Sequence, residues 1–143
     1  MESTGLFDVP VLTGTPRRVA PWSIRRADSA QLAAYRRLRR EAFVEDQHLF
    51  AGSDADDVDD DPRAIVLVAV ATGTGAVLGG VRLAPVTARD IGWWAGSRLV
   101  VDPGVRGAGG LGARLVDEAC RVAEAAGVLR FDATVQELSL IHI

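Results

Sequence analysis

The chain contains no lysine; all 16 of its basic residues are arginine. That absence excludes a Walker A phosphate loop, a Schiff-base lysine and a lysine nucleophile. The single cysteine, Cys120, excludes an intrachain disulfide and a thiolate zinc site. Set among Ala119 and Val122 in a helical stretch, it reads as a small buried apolar residue rather than a nucleophile. Histidine is as sparse: His48 has no partner histidine nearby and His142 lies in an atypical tail, so neither suggests a metal. No apolar run approaches the ~18–20 residues that span a bilayer. The N-terminus lacks the basic stretch and apolar core of a signal peptide, so the sequence reads as cytoplasmic, with no membrane partner. A net charge of −3 argues against a general nucleic-acid binder. What remains, 143 residues at 48% hydrophobic, is enough for one domain with a real core.

Residues 1–21 carry Pro10, Pro16 and Pro21 without sustained periodicity and read as a flexible arm. Trp22 to Ala27 alternates as a first strand. Asp28 followed by Gln31 forms a capping-box pattern. It opens a helix whose apolar positions Leu32, Tyr35, Leu38, Ala42 and Phe43 recur at the helical period, with Arg36, Arg37 and Arg40 on the opposite face. Ala51 to Pro62 holds six aspartates and reads as a solvated loop suited to attracting a cationic acceptor. Ala64–Ala71 and Val77–Leu83 read as strands joined by a Gly73-Thr-Gly75 turn. Ser97–Val101 is the next strand, followed by a glycine-rich turn and the helical stretch Ala113–Ala126. Leu129–Val135 is a last strand, set off by Gly127 as a C-cap signal. The order β, α, β, β, β, α, β ends in a crossover unit, which requires parallel strands.

The turn after Val101 is the most informative feature. Gly107, Gly109, Gly110 and Gly112 fall within six residues, between a β-branched strand and a helix. Bare backbone N–H groups can converge there on an anion, aided by the helix dipole and by Arg106. A dinucleotide fold would carry such glycines after its first strand; here they follow the fourth. Strand, Arg106-Gly-Ala-Gly109, Gly110-Leu-Gly112 and helix resemble the central motif of the GNAT (Gcn5-related) N-acetyltransferases, with one residue more in the loop than that motif carries. Leu38-Arg-Arg-Glu-Ala-Phe-Val-Glu-Asp-Gln47, Val77-Leu-Gly-Gly-Val-Arg-Leu83 and Trp93-Trp-Ala-Gly-Ser-Arg-Leu-Val-Val101 are similar to one branch of that family. The last resembles bacterial domains associated with nitrogen starvation.

The resemblance implies an α/β (α+β) fold, a mixed sheet flanked by helices, over residues 22–136. It implies acetyl transfer from acetyl-CoA to an amine, the acceptor being a small molecule or a peptide, with no metal. Leu99, Val100 and Val101 would run beside pantetheine, one N–H polarising the thioester carbonyl. Arg106, Gly107, Ala108, Gly109, Gly110, Leu111 and Gly112 would hold the pyrophosphate. Glu41, Glu45 and Asp57 are the candidate bases, against the plainer reading of each as a solvated carboxylate. The tyrosine that protonates the leaving thiolate in many members has no counterpart, because Tyr35, the one tyrosine, comes too early. A homodimer and a fused C-terminal domain are open partner alternatives.

Asp57-x-Asp59-x-Asp61 starts like a calcium loop, but Pro62 stands where glycine is required and Val68 where the bidentate glutamate belongs. Residues 137–143 differ in composition from the rest and resemble translated adapter read-through, a non-native tail; a short strand is the alternative. Complete family members continue past Gln136 into a helix and two strands. The expectation is therefore an incomplete domain, poorly stable and weakly active. Two rival readings stand beside acetyl transfer. Arg39, Phe43, the acidic run around Asp59 and Gly80-Val-Arg-Leu-Ala-Pro-Val-Thr87 resemble acyl-homoserine-lactone synthases. A non-catalytic CoA-sensing module is the other.

Overall fold

The computed structural model describes residues 21–46, 53–105 and 110–133. The expectations for the N-terminal arm, for Arg106 to Gly109 and for the tail from 137 lie outside the described residues. Five strands form one sheet in sequence order: β1 (Trp22–Arg26), β2 (Ile65–Ala71), β3 (Val77–Pro85), β4 (Trp93–Val101) and β5 (Arg130–Ala133). The first four make an antiparallel meander, while β4 and β5 are parallel from Trp93↔Arg130 to Gly96↔Ala133. Parallel neighbours need a crossover, and helix α2 (Leu111–Ala125) supplies it. Helix α1 (Ser29–Arg40) connects β1 to the sheet's other face and runs on into a π-helical segment, Glu41–Asp46. The expected mixed sheet with flanking helices is the observed fold.

Both helices stop and start where local chemistry says they should. Asp28 accepts from the Gln31 amide at 2.8 Å and the Gln31 side chain accepts from the Asp28 amide at 3.0 Å, closing the capping box. At the end of α2, Gly127 takes a φ of 81°. Its amide donates to the Glu124 carbonyl and the Val128 amide donates to that of Ala123, both at 3.0 Å.

Two cores separate across the sheet. Leu67, Ala69, Val81, Leu83, Leu99 and Val101 pack with Leu111, Leu115 and Ala119 of α2. On the opposite face Val68, Val70 and Val100 pack against Tyr35, Ala42 and Phe43. Successive residues of β2 thus serve opposite faces, as the pleat requires. Trp94 is buried in the α2-side core and Trp93 is half-buried, the split that alternation predicts. Cys120 departs from expectation: it lies on the exposed side of α2, because Leu115, Ala119 and Ala123 form that helix's buried stripe.

Candidate functional site

β4 begins four residues earlier than the apolar pattern of Ser97–Val101 indicates, and it carries a bulge. Gly80 pairs with Val100 and Arg82 with Ser97, so Arg98 and Leu99 together oppose Val81 alone. Arg98 is the positive-φ residue other than glycine among the described residues, at 53°. A side chain in that region costs about 1–2 kcal/mol, so contacts must hold it there. The bulge also changes the strand's phase. Trp94 lies on the α2 side; a strict two-residue period would send residue 98 there too, yet Leu99 and Val101 occupy that side instead. Arg98 is thereby turned toward α1 and the aspartate segment.

Those contacts come from two directions. The Tyr35 hydroxyl, in α1, donates to the Arg98 carbonyl at 2.7 Å. The Arg98 guanidinium donates to the Asp54 carbonyl at 3.1 Å and to the Asp56 carboxylate at 3.2 Å. Room for the tyrosine ring is made by Gly80, where an added Cβ would lie 2.6 Å from Tyr35 Cδ1.

The aspartate segment is not the solvated loop that its composition suggests. Asp54 is 6% exposed, and residues Asp57–Asp60 form a 3-10 turn capped by Asp56. Arg39, 1% exposed, donates to Asp54 at 2.6 Å and to both oxygens of Asp59 at 2.7 and 3.0 Å. Arg82 donates to Asp56 at 2.7 and 3.0 Å, to Asp59 at 2.9 Å and to Ser97 Oγ at 2.8 Å. Burial works against the ionised form of Asp59, but hydrogen bonds and charge from Arg39 and Arg82, with the Asp56 amide, outweigh it and hold its pKa well below the usual carboxylate range. Asp56 is likewise lowered, burial being outweighed by Arg82 and Arg98. Occupied by guanidinium groups, these carboxylates are not a ready cation site, and no cluster able to hold a metal occurs among the described residues. A cleft of about 260 Å³ opens over the network, lined by Arg36, Arg40, Ser53 and Asp60 among others.

Beyond Val101 the chain turns sharply: the Asp102 amide donates to the Leu78 carbonyl at 2.7 Å and the Asp102 carboxylate accepts from Gly104 at 2.8 Å. Helix α2 then opens at Gly110, which has a φ of 66° and offers no side-chain cap. The first intrahelical bond comes from Arg114 to the Gly110 carbonyl, at 3.1 Å. The amides of Leu111, Gly112 and Ala113 therefore precede the helical ladder, and the first turn has no acidic residue to fill their place. This geometry suits an anion.

Leu99, Val100 and Val101 are at most 3% exposed and Leu111 2%. Their side chains belong to the cores, so only their main chain can meet a ligand. Gly112 is buried against the sheet side of α2. Glu41 and Asp57 are exposed, and no hydrogen bond joins either to β4 among the described residues; the Glu45 side chain lies outside them. Arg98 was missed as a site-forming residue, and Arg39 was noted only for its likeness to acyl-homoserine-lactone synthases. Arg39 had a signal, four residues after Tyr35 on the apolar stripe of α1, whereas Arg98 had none without the bulge.

Comparison with known proteins agrees with this geometry. The sequence pattern of the acetyltransferase (GNAT) family matches residues 31–141. Among solved structures, an acyl-CoA N-acyltransferase from Pseudomonas aeruginosa is 28% identical, with a TM-score of 0.60 over 76% of this chain and 73% of its own. A GNAT family N-acetyltransferase (YhbS) from Escherichia coli, in complex with CoA, is 25% identical, with a TM-score of 0.61 over 80% of this chain and 62% of its own. The fold also matches a GNAT family acetyltransferase from Brucella melitensis in complex with acetyl-CoA, at 24% identity and a TM-score of 0.60, over 75% of this chain and 71% of that one. No curated protein matches the sequence. With the family pattern covering most of its length, the chain belongs to the acetyltransferase (GNAT) family.

Proposed function

We propose that this chain is an N-acetyltransferase that moves the acetyl group of acetyl-CoA to the amine of a small molecule or peptide, using a domain that occupies residues 22–136. The observation that carries the reading is the bulged β4 together with the left-handed Gly110, without a side-chain cap, at the start of the next element, α2. In this reading the main chain of Leu99–Val101 lies beside pantetheine and one of its N–H groups polarises the thioester carbonyl. The segment from Arg106 to Gly112 takes the pyrophosphate. An alkylamine acceptor has a pKa near ~10.4, so its proton must be removed before attack. Of the candidate bases, Glu41 and Asp57 have the exposure that this task requires.

Isothermal titration of the full chain with CoA, then acetyl transfer to a panel of amines, tests the proposal. Binding with transfer supports it. Binding with no transfer to any amine leaves a CoA-sensing module in its place, and absence of binding overturns both. One observation favours a second reading. Arg39, Asp59 and Arg82, residues that carry the likeness to acyl-homoserine-lactone synthases, meet in a single buried network. Turnover with an acyl-carrier-protein thioester in preference to acetyl-CoA would favour that reading.

A further inference from the structure

The phase change in β4 rests on one peptide unit, the one between Arg98 and Leu99. Because that unit is planar, fixing its carbonyl also fixes the plane from which Leu99–Val101 continue. The Tyr35 hydroxyl donates to this carbonyl at 2.7 Å in a buried contact bridging 63 residues of sequence. Its ring is seated where Gly80 lacks a side chain. On its other side Arg98 is tied to Asp54 and Asp56. The mechanism outlined above uses neither Tyr35 nor this contact.

We infer that Tyr35 is a positioning residue for acyl transfer: its hydroxyl holds the Arg98–Leu99 peptide so that the main chain of Leu99–Val101 meets the thioester in the reactive orientation. The inference rests on the reading of β4 as the acyl-CoA strand. No bond to Tyr35 forms or breaks in the reaction; it acts only through the strand.

The test compares Tyr35→Phe with Asp28→Ala in the full chain. The first keeps the ring and removes the one donor. The second removes the cap of the same helix without touching β4, and so controls for loosened packing. Tyr35→Phe is expected to lower kcat about threefold to tenfold, the range of one hydrogen bond, while the calorimetric Kd for CoA stays within about twofold. Asp28→Ala leaves both unchanged. In Tyr35→Phe the backbone amide resonances of Leu99–Val101 shift, and in Asp28→Ala they do not. Equal kcat in wild type and Tyr35→Phe overturns the inference while leaving the proposed function standing. If wild type transfers nothing, that reading fails, and the amide resonances then decide on the contact: no shift in Tyr35→Phe overturns it, and a shift confined to that variant upholds it.

Discussion

Replacing Arg39 by methionine removes a buried cation while keeping an unbranched apolar stem in its place. The guanidinium bonds Asp54 at 2.6 Å and Asp59 at 2.7 and 3.0 Å, and both carboxylates are at most 10% exposed. Breaking a buried pair from one side costs about 3–5 kcal/mol, because the remaining charge is left without its counterion. Here part of the compensation survives: Arg82 stays 2.9 Å from Asp59, and Arg98 stays 3.8 Å from Asp54. The loss should therefore fall near the lower end, about 3 kcal/mol, a large share of the roughly 5–15 kcal/mol that stabilises an ordinary domain. Urea unfolding followed by tryptophan fluorescence measures it through the shift in midpoint at constant slope. Pairing the change with Asp59→Asn should give a combined loss smaller than the sum of the two single losses, since the second change removes a charge already left exposed to the first. A loss below about 1 kcal/mol, the worth of an exposed ion pair, would refute the buried-network account.

Four further outcomes follow from the same contacts. Asp56 and Asp59 are held below their unfolded values, so the stability they contribute is present above pH ~4 and is lost as pH falls below it; equilibrium unfolding should show this acid limb, and Arg39→Met should flatten it. Gly80→Ala places a Cβ 2.6 Å from the Tyr35 ring and 2.9 Å from the Leu67 carbonyl, and the urea midpoint should report about 2–3 kcal/mol of overpacking; an unchanged midpoint would mean the ring has somewhere to go. Gly110→Ala forces a side chain into a left-handed residue, with about 1 kcal/mol lost and weaker CoA binding by calorimetry; unaltered binding would separate that turn from the pyrophosphate. Although Cys120 lies on the exposed side of α2, partial desolvation raises its thiol pKa, with help from the Asp117 and Glu124 charges, so iodoacetamide should alkylate it more slowly at pH 7.5 than it does a free cysteine, and a faster rate would contradict the assignment.

The order of strands and helices was legible because each element announces itself locally. Ile65–Ala71 is a continuous apolar run, Asp28 and Gln31 cap α1, and Gly127 closes α2. The aspartate segment was not legible. Six carboxylates close together look solvated unless cations are known to meet them, and the buried arginine partners of Asp54, Asp56 and Asp59 lie 15 to 44 residues away in sequence. The bulge hid for a different reason: it breaks the period by which a strand is recognised. Ser97–Val101 could be seen as apolar, but the residues from Trp93 to Gly96 belong to the other phase and drop out of the pattern. The anion turn was visible as glycines alone. What the structure adds at Gly110 is the left-handed backbone and the missing cap.

The lysine-free composition and the site geometry have a common consequence. Asp59 accepts from Arg39 and Arg82, Asp56 from Arg82 and Arg98, and Asp54 from Arg39, with its carbonyl taken by Arg98. Each guanidinium thus holds two aspartate residues at once, which its rigid, forked donors permit and a single ammonium point does not. The outcome is a chain of contacts from α1 through the aspartate turn to β3 and the bulge of β4. Asp57, the exposed candidate base, sits within that turn, between Asp56 and Asp59. The segment that carries Asp57 is thereby tied, through Asp54 and Asp56, to Arg98, whose carbonyl accepts from Tyr35. A lysine at position 39, 82 or 98 would keep the charge and lose that coupling.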